Sequence, residues 1–439
     1  MIPAIILFVV TYVLMIAFGK YRPWIALASG VVFIACGMLP LDQVFRFSGG
    51  ALDFNVLLMI AGTMGLVQLF IDSQMPNRLA DIVMNHVPTV CGAAVALSLF
   101  AGIISAFVDN VATVLMVAPV ALAICKKLNT NPVPFIIAIA VSSNLQGAAT
   151  LVGDTTAIML GSALDMSFLD FFRYQGKPSI FFAVELGAVL SAIIVWWLFR
   201  KEKGKIEKNA TLTPVTDYVP TLLLVGTIAL LAAASFAPDS WHLPAEINGI
   251  IACCMLVVGL IYNGLRYRKK EALLSPLKAI DFETLGLLTG LFLMIAAIES
   301  EGVIKALADL LADVGGGNLF LMYTVIVWAS VLISAFIDNI PYVATMIPVI
   351  GGLAGNMAGG DTEKAALMAI PLYFGLLSGA TLGGNCTPIG ASANIAGTGI
   401  LRKAGYEVKN KDFFKIGIPF TFAAIVPAYI YIWLVFGVK

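Results

Sequence analysis

Ser105-Ala106-Phe107-Val108-Asp109-Asn110 and Ser334-Ala335-Phe336-Ile337-Asp338-Asn339 are one hexad written twice, and a proline, Pro119 or Pro348, follows each Asp ten residues on. Both copies lie inside strongly apolar runs. A carboxylate at membrane depth is costly unless it is paired or hydrated, so an acid placed there twice asks for a function. The apolar stretches flanking each Asp-Asn pair are short against the roughly 20 residues a spanning helix needs. The spacing therefore predicts two helix–turn–helix hairpins, over 91–125 and 319–354, each with Asp-Asn at its tip. Non-helical backbone at that depth is tolerated only where protein or a cavity covers it.

Composition sets the surroundings. Of 439 residues, 60% are hydrophobic and 12% charged, against about 25% charged in soluble domains, and the mean hydropathy is +0.96. The chain reads as a polytopic membrane protein whose first partner is the lipid bilayer. Basic and acidic residues balance at 26 each, which points away from a nucleic-acid partner. The six cysteines show no metal-ligand spacing and read as small packing residues, so no cofactor is expected. The N-terminus is apolar from Ile2 and has no basic leader segment, so it reads as a retained span.

The repeat extends beyond the hexads. Leu52-Asp53-Phe54 with Gly62 matches Ile280-Asp281-Phe282 with Gly290, and Leu79-Ala80-Asp81 matches Leu307-Ala308-Asp309. Thr150-Leu151-Val152-Gly153 matches Thr387-Pro388-Ile389-Gly390, and Asp170-Phe171-Phe172-Arg173 matches Asp412-Phe413-Phe414-Lys415. Two halves result, 1–208 and 209–439. Each carries flanking spans, a hairpin and a span broken by small residues, over 135–160 in the first half and 366–400 in the second. The expected fold is all-α, with about ten spans plus the two hairpins. The polar stretch 73–88 and the Phe-rich 164–174 are expected at the interface.

Basic residues cluster at Lys20/Arg22, Lys126/Lys127, 200–208, 266–270 and 402–415. Placing these clusters inside puts the N-terminus outside, brings the first hairpin in from the cytoplasm and the second from outside, and inverts the halves. Inverted repeats, hairpins and broken helices together mark secondary transporters that bind near the bilayer midplane. The setting is a cell membrane crossed many times, of the bacterial or archaeal inner-membrane type.

Asp at a tip offers an anionic ligand and a proton site. Asn offers a carbonyl for a cation, and Asn110 or Asn339 is also expected to cap the following helix. A sodium ion would use Asp109, Asn110, Asp338 and Asn339, with Thr113 close by. The broken spans supply the facing wall through Asn144, Gly147, Thr150, Asp154, Thr155 and Thr156, and through Thr381, Asn385, Thr387, Ser392 and Asn394. Such oxygens suit a hard cation, and helix N-termini suit an anion; close helix packing is the other role small residues serve. Asp154 has no acidic counterpart, because Ala391 stands at the matching position, which singles it out for proton coupling. Glu185 lies within a span, and His86 and His242 lie near span ends.

Asp109-Asn110-Val111-Ala112-Thr113 with Pro119, Asp338-Asn339-Ile340-Pro341 with Pro348, and Gly384 through Asn394 resemble the ArsB/NhaD branch of the ion transporter superfamily. The hairpins resemble those of bacterial relatives of the melanosomal P protein, and Gly153-Asp154-Thr155-Thr156 resembles the NhaD sodium/proton antiporters. The resemblance covers nearly the whole chain. It implies an elevator-type transporter with a scaffold and a mobile domain, forming a homodimer and carrying a small ion or solute. Dicarboxylate/sodium symporters of the same superfamily carry Ser-Asn-Thr at their tips, whereas Asp stands in place of Ser at both tips here. Two functions stay open. One is cation/proton antiport coupled through H+ and/or Na+. The other is cation-coupled transport of an anion or metalloid, such as a citrate-like carboxylate or arsenite.

Overall fold

The computed structural model describes residues 1–44, 46–128, 130–202, 204–205, 212–268 and 270–437. Eight helices among them are long and apolar enough to cross a bilayer: Phe54–Asp72, Asn110–Lys127, Ile180–Phe199, Ile247–Tyr267, Leu273–Ser300, Asn339–Met357, Thr362–Cys386 and Asn410–Phe436. Ile2–Ala17 and Gly19–Ala35 make a ninth if counted as one span, although the chain bends by 115° between them. Two of the eight, Asn110–Lys127 and Asn339–Met357, are second arms of hairpins, which the ten expected spans did not include. Four apolar helices are shorter: Val90–Ser105 and Leu319–Ser334, the first arms of the hairpins, and Val133–Gly147 and Val219–Ala234, which lie where spans were expected. Val133–Gly147 is short because it is the first half of a broken helix.

One part of the molecule is built from glycine contacts that repeat with the sequence. Gly62 lets Phe54–Asp72 lie on Ile247–Tyr267 so closely that a Cβ there would fall 2.6 Å from the Ala252 carbonyl carbon. Gly290 does the same for Phe282–Ser300 on Arg22–Ala35, with the Ala26 carbonyl carbon at 2.3 Å. Each contact joins a helix of one half to a helix of the other. The repeated acids cap these helices: Asp53 Oδ1 accepts from the Val56 N–H and Asp281 Oδ1 from the Thr284 N–H, both at 3.0 Å.

The other part is the two hairpins closed around the broken helices. Val90–Ser105 and Asn110–Leu128 pack on Val133–Gly147, while Leu319–Ser334 and Asn339–Met357 pack on Thr362–Gly383. Val133–Gly147 is buried on every side, as its apolar first nine residues require, and it carries the polar Ser142, Ser143, Asn144 and Gln146 into the interior. The stretch expected at the interface, 164–174, forms a 3-10 turn at Phe168–Phe171. It then enters a two-residue antiparallel ladder, Arg173–Tyr174 with Lys177–Pro178, a small departure from an all-α chain.

The 200–208 cluster and the boundary between the halves fall partly outside the described residues. Beyond them, the Thr213 N–H and hydroxyl donate to Asp81, and Asp217 gathers a shell of donors. The Val219 N–H (3.0 Å), the Tyr262 and Tyr267 hydroxyls (2.9 and 3.2 Å) and Arg266 Nε (3.2 Å) all reach its carboxylate. Burial pushes this carboxyl up, but the donors and the guanidinium outweigh it and hold it below the usual range. A depressed acid stabilises the fold above its unfolded pKa and loses that contribution as pH falls through the folded value. Asp217→Asn is therefore expected to melt earlier than wild type at neutral pH and to lose less between about pH 5 and pH 3. Melting of the detergent-solubilised protein across that range is the check; parallel curves would mean that Asp217 carries no acid-linked stability.

Candidate ion and solute site between the hairpin tips

Each tip is a four-residue turn whose Asp, not its Asn, caps the second arm. Asp109 Oδ1 accepts from the Val111 and Ala112 N–H groups at 2.9 and 3.1 Å, and Asp338 Oδ1 accepts from the Ile340 N–H at 3.1 Å. This corrects the expectation that Asn110 and Asn339 cap. A carboxylate takes the free N–H groups because it also meets the positive end of the helix dipole. Asn110 is thereby released to turn inward. Its Oδ1 accepts from Ser105 Oγ at 2.8 Å and its Nδ2 donates to Asn144 Oδ1 at 3.0 Å.

Asn144 continues the chain of bonds into the other half. Its Nδ2 donates to Asn385 Oδ1 at 3.0 Å and to the Thr381 carbonyl at 3.3 Å, while Asn385 Nδ2 donates to the Val141 carbonyl at 3.0 Å. Gly147 leaves the space this needs, since a Cβ there would sit 2.2 Å from Asn110 Oδ1. The breaks are tied to the tips in matching ways. The Thr150 hydroxyl donates to the Ala106 carbonyl and the Thr387 hydroxyl to the Ala335 carbonyl. Gly153 and Gly390 approach the same pairs of tip carbonyls, Ser105/Ala106 and Ser334/Ala335. Asn394 Nδ2 braces the second break through the Gly384 and Thr387 carbonyls at 2.9 and 3.0 Å.

Asp154 and Ala391 occupy the same extended backbone conformation at the start of the second half-helices, φ/ψ −144°/149° and −146°/146°. Asp154 does not cap its own helix. Its Oδ2 accepts from Thr156 Oγ1 at 2.7 Å, and that hydroxyl lies 3.2 Å from Thr381 Oγ1.

A cavity of about 420 Å³ opens beside these groups. Of the residues singled out from sequence, Asp109, Asn110, Asn144, Asp154, Thr155, Asn339 and Ser392 line it. Thr113, Gly147, Thr150, Thr156, Thr381, Asn385, Thr387 and Asn394 stand behind the wall and hold it. Asp338 is absent from the lining: its Oδ2 lies 3.6 Å from Arg22 Nη1. The four residues assigned to one sodium ion are therefore divided, three on the cavity and one on an arginine. Arg22, read from sequence as a cytoplasmic anchor, instead faces the second tip.

Three polar lining residues were not anticipated as site residues: Asp281, Thr284 and Gln68. The repeat pairs Asp281 with Asp53, and both acids cap their helices. Glu185 is half-buried and lines neither this cavity nor the larger one described next. Among the described residues, no Lys, Arg or His lines the 420 Å³ cavity, and no three His, Cys, Asp or Glu side chains converge closely enough to hold a metal ion.

A larger cavity, about 640 Å³, lies at the other end of Phe54–Asp72, lined by Asp53, Asn55, Ser162, Asp165, His242 and Glu246 among others. No hairpin residue contributes to it, so the chemistry of the repeat belongs to the smaller cavity. A gap of about 10 Å³, room for about one water, lies along the same two helices, Phe54–Asp72 and Thr155–Ala163. It is walled by Thr63, Met64, Asp109, Gly153, Asp154 and Ile158. Asp109 and Asp154 thus border both the gap and the 420 Å³ cavity.

Bundled apolar helices, paired hairpins and acids enclosed at their tips define a polytopic membrane transporter. Two solved transporters share the fold. The Alcanivorax borkumensis YdaH transporter, reported to have an unusual topology, matches with a TM-score of 0.57 at 13% identity over 90% of this chain and 87% of its own. Neisseria gonorrhoeae MtrF, described within a class of antimetabolite efflux pumps, matches with a TM-score of 0.56 at 15% identity over 94% and 86%. The family model described as citrate transporter, CitMHS, matches residues 12–372, and the chain belongs to this ArsB/NhaD-type family. An uncharacterized transporter of Mycobacterium bovis is 31% identical over 98% of this chain and 97% of its own. The P protein of Sus scrofa is 27% identical over 84% of this chain and 51% of its own length.

Proposed function

We propose that the protein is a secondary active exchanger of protons for a cation, with sodium as the first cation to test, and that Asp109 is the exchange site with Asp154 as its proton-handling neighbour. The observation that carries this reading is the charge of the cavity: Asp109, Asp154 and Asp281 line it without a basic residue among the described ones. An anion entering there meets three carboxylates, whereas a proton or hydrated cation meets its complement. One carboxylate does not hold a proton and a cation at once. Exposing Asp109 first to the 420 Å³ cavity and then to the far side makes the two flows an obligatory exchange. In this reading the matched tip–break contacts reflect two inverted repeats, and the hairpins with their broken helices move as one body against the glycine-packed helices, in a homodimer.

Cation-coupled transport of a carboxylate or metalloid is the second reading. The family's description as citrate transporter favours it, as do a cavity roomy for a bare ion and the helix N-termini that begin at Asn110, Thr155, Asn339 and Ser392 around it. Proteoliposomes loaded with a pH-sensitive dye separate the two. A sodium gradient is expected to drive proton movement with no added solute. Proton movement that appears only when citrate or arsenite is supplied would sink the exchange reading in favour of the second.

A further inference from the structure

The tips share the Asp-Asn pair and differ in their surroundings. At the first, Asp109 lines a cavity that contains no basic residue among those described. At the second, Asp338 Oδ2 lies 3.6 Å from Arg22 Nη1. Arg22 opens the helix that follows the 115° bend, and its Nε donates to the Met15 carbonyl across that bend at 3.2 Å, which fixes where the guanidinium can reach. The preceding helix touches the same hairpin: the Tyr12 hydroxyl donates to the Pro341 carbonyl at 2.9 Å and bonds the Thr345 hydroxyl.

We propose that Arg22 is a tethered counter-ion that takes, at Asp338, the place a transported cation takes at Asp109, so that the doubled tips present one free cation site in this conformation. This rests on the cation-exchange reading above. A guanidinium stays charged at every physiological pH and matches a carboxylate in shape. The Arg22–Asp338 pair is therefore neutral without proton or cargo, and the second tip can remain within the membrane empty. Asp109 reaches the same neutrality only by binding something. Repeat symmetry alone would give two equivalent sites; the arginine removes one of them.

Modification of the full-length protein in detergent by dicyclohexylcarbodiimide, which attacks membrane-embedded carboxyls, tests this residue by residue through peptide mass spectrometry. Wild-type Asp338 is expected to react slowly. In Arg22→Gln its rate is expected to rise about tenfold, because an unpaired acid in the membrane takes up a proton, while the rate at Asp109 stays unchanged. Arg22→Met keeps the apolar stem and carries the same expectation should Arg22→Gln not fold, and Arg22→Lys is expected to fall between. Asp338 reacting no faster in a folded neutral variant than in wild type overturns the proposal. The labelling needs no cargo, so it is judged apart from sodium-driven flux. Labelling as expected without flux would keep the tether and lose the exchange reading, and the reverse pattern would do the opposite.

Discussion

Asp109→Asn is expected to abolish coupled transport, by about a hundredfold or more, as loss of the coupling group at an exchange site requires, while leaving the fold intact. The local geometry makes the second half of that statement firm. Asp109 uses Oδ1 to accept the Val111 and Ala112 N–H groups, and an asparagine carbonyl accepts the same pair from the same position. Asn and Asp are near equals as helix caps, so stability is expected to stay within about 1 kcal/mol of wild type. What the substitution removes is the charge facing the cavity. Sodium-driven proton flux in proteoliposomes, set beside melting of the purified variant, reads both quantities. A variant that folds and transports normally would reduce Asp109 to a cap. Asp338→Asn differs in kind, because it strands the Arg22 guanidinium and is expected to lower stability together with flux.

The hexads were legible because chemistry and apolarity conflict there: an acid in a hydrophobic run needs a turn, a partner or a cavity, and the sequence states that conflict twice. Hairpin arms, breaks and the glycines that admit them follow from the same local rules. Other features were not local. Whether Asp or Asn caps depends on which side chain the neighbouring helix claims, and Asn144 claims Asn110. Arg22 and Asp338 are far apart in sequence and share no motif, so their meeting is set by the bend after Ala17 and by how the second hairpin packs. Asp281 was visible as a repeated residue, yet its place on the cavity wall depends on Phe282–Ser300 beginning beside the first tip. Fewer helices qualify as spans than the ten expected, because an apolar run gives the length of a segment without stating where the helix within it bends, as after Ala17, or breaks, as after Gly147.

Asn144→Leu is the substitution expected to harm the fold most while leaving every acid in place. Asn144 is almost wholly buried, at 2% exposure, and its amide makes two of the bonds between the halves at the site. Its Oδ1 receives Asn110 Nδ2, and its Nδ2 serves both Asn385 Oδ1 and the Thr381 carbonyl. Leucine nearly matches asparagine in size, so little of the loss comes from packing. It comes from taking their partner from the Asn110 amide at the cavity wall and from two buried acceptors, Asn385 Oδ1 and the Thr381 carbonyl. Each such group costs about 1–3 kcal/mol, and a destabilisation of about 3 kcal/mol or more is expected. Transport per folded molecule should also fall, because the freed Asn110 side chain lines the cavity next to Asp109 and no longer fixes the tip. Denaturant or thermal unfolding in detergent measures the first effect, and flux normalised to monodisperse protein measures the second. If the leucine variant unfolds with wild type, the Asn144 amide is not what joins the broken helices, and the Asn385 Nδ2 bond to the Val141 carbonyl and the Thr156–Thr381 hydroxyl pair must hold them instead.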